Sequence, residues 1–397
     1  MRLGCGGDFG ENSAGVELGI EVFVKFMTST VIDNLSQNEL AEDGLEGYSL
    51  PTPGDWQDYP LDELAIRDER RTASDVIRRI KNNRFVLDPD FQRDFVWDSN
   101  KQSRLIESIL LRIPLPVFYV AEDAKGRLIV VDGRQRLTTL LQFLNNNLAL
   151  QLKDRPELDG KRFDGLDVRL QNRVEDCQLL FYIIDRSVPE RARLDIFERV
   201  NGGEVLTRQQ MRNAIYNGVA TRFLRDESET ELFLFATGGS LNTKKMQDRE
   251  MINRFCSFRL LDLDTYRGDM DDWLAKGLEK MNQIDVDDLA LLSKRFRRSM
   301  KNNYEVFGRQ AFRKHNVENQ RRSLLNASLF DVMSTGLARY SVDTVAGKAE
   351  LLRERFYDLM SDESFIRAIT YSTNTPREVR TRFRKANQML REVFNAA

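Results

Sequence analysis

The chain has 397 residues, 31% of them charged and 41% hydrophobic, which is enough for more than one core and unlike a disordered chain. Sixty Lys and Arg against 62 Asp and Glu leave a net charge of −2, so charge as a whole does not mark a nucleic-acid binder, although a local basic face is open. Cys5, Cys177 and Cys256 lie too far apart for a disulfide framework or a cysteine metal cluster, and the single histidine, His315, excludes a histidine-rich metal site and any nuclease motif that needs two.

No run has the apolar length of a membrane span, and a reducing, cytoplasmic setting is expected. Residues 1–60 are expected to be a mobile extension, rich in glycine and acids and interrupted by Pro51 and Pro53. The apolar stretch before Met27 contains Glu21 and Lys25 and lacks the basic start of a secretory signal. Met27 is an alternative start, which would make residues 1–26 foreign to the native chain.

From Arg71 the periodicity predicts a helix over 72–82 with Val76, Ile77 and Ile80 on one face, then a short strand over 85–87. A helix over 99–111 takes Ser99 as N-cap and carries the stripe Leu105, Ile106, Ile109 and Leu110. Strands are predicted over 117–121 and 127–131, joined by a turn at 123–126, then a helix over 134–145 and a strand over 178–184. Beyond Pro189 the pattern is helical, over 190–200, 208–217, 249–261, 286–306, 324–340, 345–360 and 377–394. The expected class is α+β, with a small mixed-sheet domain over 61–188 followed by a largely α-helical domain over 189–397.

The run Asp132-Gly133-Arg134-Gln135-Arg136 joins an apolar strand to an amphipathic helix. Gly133 lets the backbone bend sharply beside a ligand, and Arg134 and Arg136 can each give paired, charge-assisted hydrogen bonds to a phosphate at the helix start. Asp132 can hold a divalent cation, orient a water or pin an arginine, and Thr138 and Thr139 offer hydroxyls. A capped helix whose arginines pair with nearby acids is the other reading of the same residues. Gln92 and Arg93, set among Phe91, Phe95 and Trp97, form a second polar cluster that can line a cleft.

These runs, Phe91-Gln92-Arg93-Asp94-Phe95-Val96-Trp97, Leu105-Ile106-Glu107-Ser108-Ile109-Leu110, Ile113-Pro114-Leu115-Pro116 and Asp132 to Leu140, in this order and spacing, resemble the N-terminal domain family of GmrSD-type restriction systems. Phe197 to Thr207 and Arg212-Asn213-Ala214 resemble it too, so the likeness extends over about 60–397. It implies a ParB/sulfiredoxin-like fold and nucleotide binding. In several relatives it implies nucleoside-triphosphate hydrolysis tied to defence against modified foreign DNA. Carried onto this chain, it implies that Arg93 and Arg136 hold phosphates beside Gln92, Gly133, Arg134 and Thr138, and that Asp132 organises Mg2+ or water. Gln135 would orient the attacking water, Glu107 would be a second carboxylate or a helix-surface acid, and Asn201 with Gly202-Gly203 would form a turn over the nucleotide or a helix stop. Two positions depart from the family pattern. Arg134 stands where glutamine is usual, adding a charge and removing an acceptor, and Gln210 stands where relatives often have glutamate.

Relatives that cut DNA carry a histidine-rich nuclease domain, so with one histidine any cleavage is expected to fall to a separate nuclease subunit. No cysteine lies between Gly6 and Leu150 for sulfiredoxin-like chemistry, and Cys177 is expected to be a buried structural thiol. Lys294, Arg295, Arg297, Arg298 and Lys301 form one basic stretch, and Arg377, Arg380, Arg382, Arg384 and Lys385 a second. Either can follow a DNA backbone or be a solvated helix face. The expected function is a nucleotide-binding, NTP-hydrolysing sensor or switch in DNA restriction, with a nucleoside triphosphate and Mg2+ as ligands and DNA as a partner. The alternatives are a non-enzymatic DNA-binding module of ParB-like fold and an interaction subunit with a degenerate pocket.

Overall fold

The computed structural model describes residues 45–46, 65–87, 97–123, 125–200, 207–317 and 322–395. β1 (Leu45–Glu46) comes first and lies outside the main sheet; in chain order the sheet unit then comprises β2 (Ile66–Thr72), α1 (Ala73–Lys81), β3 (Phe85–Val86), α2 (Ser99–Leu110), β4 (Phe118–Glu122), β5 (Leu128–Asp132), α3 (Arg134–Leu144), α4 (Val168–Glu175), β6 (Gln178–Ile184), α5 (Glu190–Val200) and α6 (Arg208–Ile215). Five strands form one mixed sheet in the order β2-β6-β4-β5-β3. β4 runs parallel to β6 and antiparallel to β5, and β2 closes one edge antiparallel to β6.

Alternation along the central strands gives the sheet two apolar faces. Phe118, Val120, Leu128, Val130, Leu179, Phe181 and Ile183 face a core shared with α1 to α4. Ala121 and Ile184 face the other way, onto Val188, Leu194, Phe197, Met211 and Ile215 of the α5–α6 region, and Ile129 packs on Ala214. A sheet with two apolar faces needs cover on both. That cover reaches Ile215, past the boundary expected at 188. Trp97 packs against the first core. Asp98, not Ser99, caps α2, its carboxylate accepting from the Lys101 N–H at 2.8 Å.

The rest is helical: α7 (Val219–Ser228), α8 (Glu231–Thr237), α9 (Gln247–Leu260), α10 (Met270–Met281), α11 (Val286–Phe307), the two-residue strand β7 (Leu325–Asn326), α12 (Ala327–Leu337), α13 (Val342–Gly347), α14 (Ala349–Met360), α15 (Glu363–Thr370) and α16 (Pro376–Asn395). Every residue of α12 is buried, as its nearly unbroken apolar and small composition requires, and α9, α11, α15 and α16 pack around it. At its centre the fully buried Asp331 accepts a bidentate pair from Arg254 at 2.8 and 2.7 Å and a further bond from Arg382 at 2.9 Å. The helix expected over 345–360 is two helices that meet at Lys348. Within the segment expected as a mobile extension, β1 pairs in parallel with β7. No helix among the described residues is long and apolar enough to cross a membrane.

The two parts meet along α6, all of whose residues are buried. Arg212 donates to Asp271 at 2.6 Å, to Glu250 at 3.1 Å and to Gln209 at 3.0 Å. Arg208 donates to Asp271 at 2.5 Å and pairs with Asp195. Gln210 completes a capping box with Thr207 and donates to the Lys244 carbonyl.

Candidate functional site

β5 ends at Asp132, and Gly133 then turns the chain into α3 at φ 97°, in the left-handed region. A Cβ at Gly133 would stand 2.3 Å from Cδ1 of Phe118, so glycine is required by space as well as by angle. The start of α3 has no side-chain cap, which leaves first-turn N–H groups without that partner and gives the turn an anion-attracting end. Gln135 brings a buried Oε1 with no hydrogen-bond partner among the described residues. The Thr139 hydroxyl is spent on the Gln135 carbonyl at 2.8 Å, while Thr138 is half-buried on the same helix.

Arg136 is not placed as the phosphate ligand the resemblance implies. It turns inward, donating to the carbonyls of Pro116 and Val117 (the latter at 3.1 Å) and to Asp132 Oδ2 at 2.9 Å, with its guanidinium 4.3 Å above the Phe118 ring. Both carbonyls precede the β4 ladder and need donors, and Arg136 supplies them. Burial pushes its pKa below the ordinary value, opposed by the Asp132 charge. Of the three roles open to Asp132, pinning an arginine is the one visible here. Opposite Asp132, the β4–β5 register slips between Tyr119 and Val120.

Glu107 is likewise committed elsewhere. It accepts from Arg155 at 2.9 Å and from Arg104 at 3.0 Å, and these bonds outweigh desolvation and hold its carboxyl below the ordinary range. No described contact joins it to the turn. Gln92, Arg93 and Asn201 lie outside the described residues. Among the described residues no group of three or more His, Cys, Asp or Glu is gathered as a metal-ligand set.

Two cavities lie away from the turn. One, of about 420 Å³, sits at the other end of β5, rimmed by Arg67, Arg71, Arg79, Arg84, Lys125 and Arg127 with Glu69 and Glu122. The charged β2 run 67–71 was its only sequence signal. The second, of about 800 Å³, opens between the sheet unit and the helical part and contains Glu190. There the Tyr216 hydroxyl donates to Glu190 at 2.8 Å, and burial raises the Glu190 pKa.

The basic stretches do not form two continuous faces. Arg297 is bound to Glu227 at 3.0 Å, which also accepts from Ser293 at 2.6 Å. Lys294 is exposed, Arg295 and Lys301 are half-buried, and Arg298 donates to the Ala338 carbonyl. In the second stretch Arg382 is fully buried against Asp331, and Lys385 pairs with Asp362. His315 is buried among Phe307, Phe356 and Tyr357 and bonds the Arg313 carbonyl at 2.8 Å, a structural place for the lone histidine. Cys177 is half-buried and its pKa is raised by burial.

A mixed sheet covered on both faces, with a glycine-hinged and uncapped helix start at the end of β5, defines the first part as an α+β domain built around a charged turn. Residues 73–217 match the family model described as GmrSD restriction endonuclease, N-terminal domain. The match runs from the first residue of α1 to just beyond α6 and does not reach the helical part. It points to a role in restriction. No curated protein and no solved structure matches the chain.

Proposed function

We propose that the chain is a nucleotide-binding sensor or switch of a DNA restriction system, with its phosphate grip at the start of α3. The observation that carries this reading is the Gly133 hinge opening onto an uncapped helix start, inside the segment matched to a restriction family. In this reading the first-turn N–H groups, Arg134 and Thr138 meet the phosphates, and Gln135 offers its unpartnered Oε1 to a water or a base. Arg136 is the clamp that fixes Asp132. Asp132 Oδ1, which has no partner among the described residues, is the oxygen available to Mg2+ arriving with the nucleotide. Gln92, Arg93 and Asn201 belong to the same site through the resemblance. DNA and a separate nuclease subunit are the partners this role requires.

The test is a melting panel of the four common nucleoside triphosphates with and without Mg2+, read beside phosphate release. A nucleotide at 100 times its Kd should add about 2.7 kcal/mol of stability, and Arg134→Gln should reduce that gain. Stabilisation with phosphate release establishes an NTPase, and stabilisation without it establishes a switch. The absence of stabilisation by every nucleotide overturns the reading. The inward lock of Arg136 and the commitment of Glu107 favour a second reading, a DNA-binding module without hydrolysis. It gains if DNA binds equally well to Arg134→Gln.

A further inference from the structure

Arg254, Arg297, Arg355 and Arg382 of the helical part are matched to carboxylates, and a group of four other arginines from three stretches of the chain is not. Arg259 stands in the last turn of α9, Arg295 and Arg298 lie on α11, and Arg339 follows the end of α12. α12 packs against both α9 and α11, and the Arg298 guanidinium reaches the Ala338 carbonyl, next in the chain to Arg339. Arg259 is half-buried, and its Nε is buried with no hydrogen-bond partner among the described residues. The Nε of Arg298 is in the same condition. No acid pairs with any of the four among the described residues. Arg298 donates to the Ala338 carbonyl at the end of α12, and Arg339 donates to Asn387 at 3.1 Å, both neutral acceptors.

The mutual charge is felt. Burial first, then Arg295, Arg339 and Arg298, push the Arg259 pKa below its ordinary value, and burial with Arg295 does the same at Arg298. The negative ends of α9 and α12 make the arrangement tolerable, but they do not supply the bidentate partner a guanidinium takes. Converging unpaired guanidiniums with orphaned buried N–H groups are suited to an anion with several acceptor oxygens, and phosphate has that chemistry.

We propose that Arg259, Arg295, Arg298 and Arg339 form a phosphate-binding site on the helical part, for the backbone of duplex DNA or for a free phosphate group. The site differs from the basic stretch read along α11: Arg297 leaves it, tied to Glu227, and Arg259 and Arg339 join it from other helices. DNA as the source rests on the restriction reading. The phosphate site does not, and its test leaves the turn at Gly133 untouched.

The full chain is titrated against a fluorescein-labelled duplex over a salt series, and melted with inorganic phosphate or pyrophosphate. The double variant Arg295→Gln, Arg339→Gln should weaken duplex binding at least tenfold at low salt and reduce the magnitude of the salt slope by roughly 2. Without ligand it should melt higher than the parent, because like charges are removed; a cluster that merely holds the fold would melt lower. Arg355→Gln, taken from the exposed pair with Asp358, is the control and should change neither binding nor the slope. Arg339→Gln alone, at an exposed position, repeats the test if the double variant does not fold. Stabilisation by phosphate that the variant loses, with duplex binding unaffected, assigns the site to a free phosphate. Equal duplex binding and equal phosphate response in parent and variant overturn the proposal.

Discussion

Two of the regions where this molecule buries arginines do so on opposite terms. Along α6, Arg208 and Arg212 meet Asp195, Asp271 and Glu250, so each guanidinium removed from water is matched by carboxylates. Around Arg259 the guanidiniums have the Ala338 carbonyl, the Asn387 side chain and the charge of one another. Burying a charge is costly unless it is paired. The matched region is a joint that the fold itself completes, and the unmatched one is suited to being completed by something from outside. The turn at Gly133 lies between these cases, with Arg136 fully used inside and the helix start left uncapped.

The comparison breaks most directly at Arg212. Arg212→Ala takes a buried guanidinium away from Glu250 and from Asp271, which keeps Arg208, and should cost about 3–5 kcal/mol, read from urea unfolding. A loss below about 1 kcal/mol, the range of an exposed pair, would remove the contrast with the Arg259 cluster. Gly133→Ala comes next. It places a side chain at a positive φ and against Phe118, and should cost about 1–3 kcal/mol together with any stabilisation by nucleotide; unchanged melting would show that the turn is not sterically fixed. The smallest effect is at His315. Burial, aided by the Arg353 charge, holds its pKa below the ordinary value, so the unfolded chain takes up a proton that the folded chain refuses. Stability from this group is full above about pH 6.5 and declines as the pH falls below it. His315→Phe should flatten that part of the pH–stability curve, and an unchanged slope would assign the dependence to other groups.

Much of the sheet was legible because its central strands are short, nearly continuous apolar runs, and α2 and α3 carry clear stripes. The edge strand β2 was not, because Arg67 to Arg71 are all charged and show no apolar alternation. Edge strands gain from such charges, which discourage pairing with another chain. α10 carried a usable signal in Trp273, Leu274, Leu278 and Met281 behind the Asp269 cap, yet was not picked out. The turn itself was found from its residue types. Its geometry was not, because Arg136 and Arg134 are the same residue type and only three-dimensional packing shows that one is a brace. The Arg259 cluster was invisible in one dimension, since its members come from three separate stretches and the run that drew attention, 294–301, contains Arg297, which is neutralised by a glutamate about seventy positions earlier.

The pairing of β1 with β7 has a practical consequence for dissecting the protein. Leu45 and Glu46 precede the sheet unit in sequence, yet they dock beside Leu325 and Asn326, and Glu46 also anchors Lys314. The helical half is therefore assembled from two non-adjacent lengths of polypeptide with the sheet unit inserted between them. A version shortened to begin near residue 61, or split after the sheet, would strip a backbone partner from Leu325 and a counter-charge from Lys314, and would weaken the helical half.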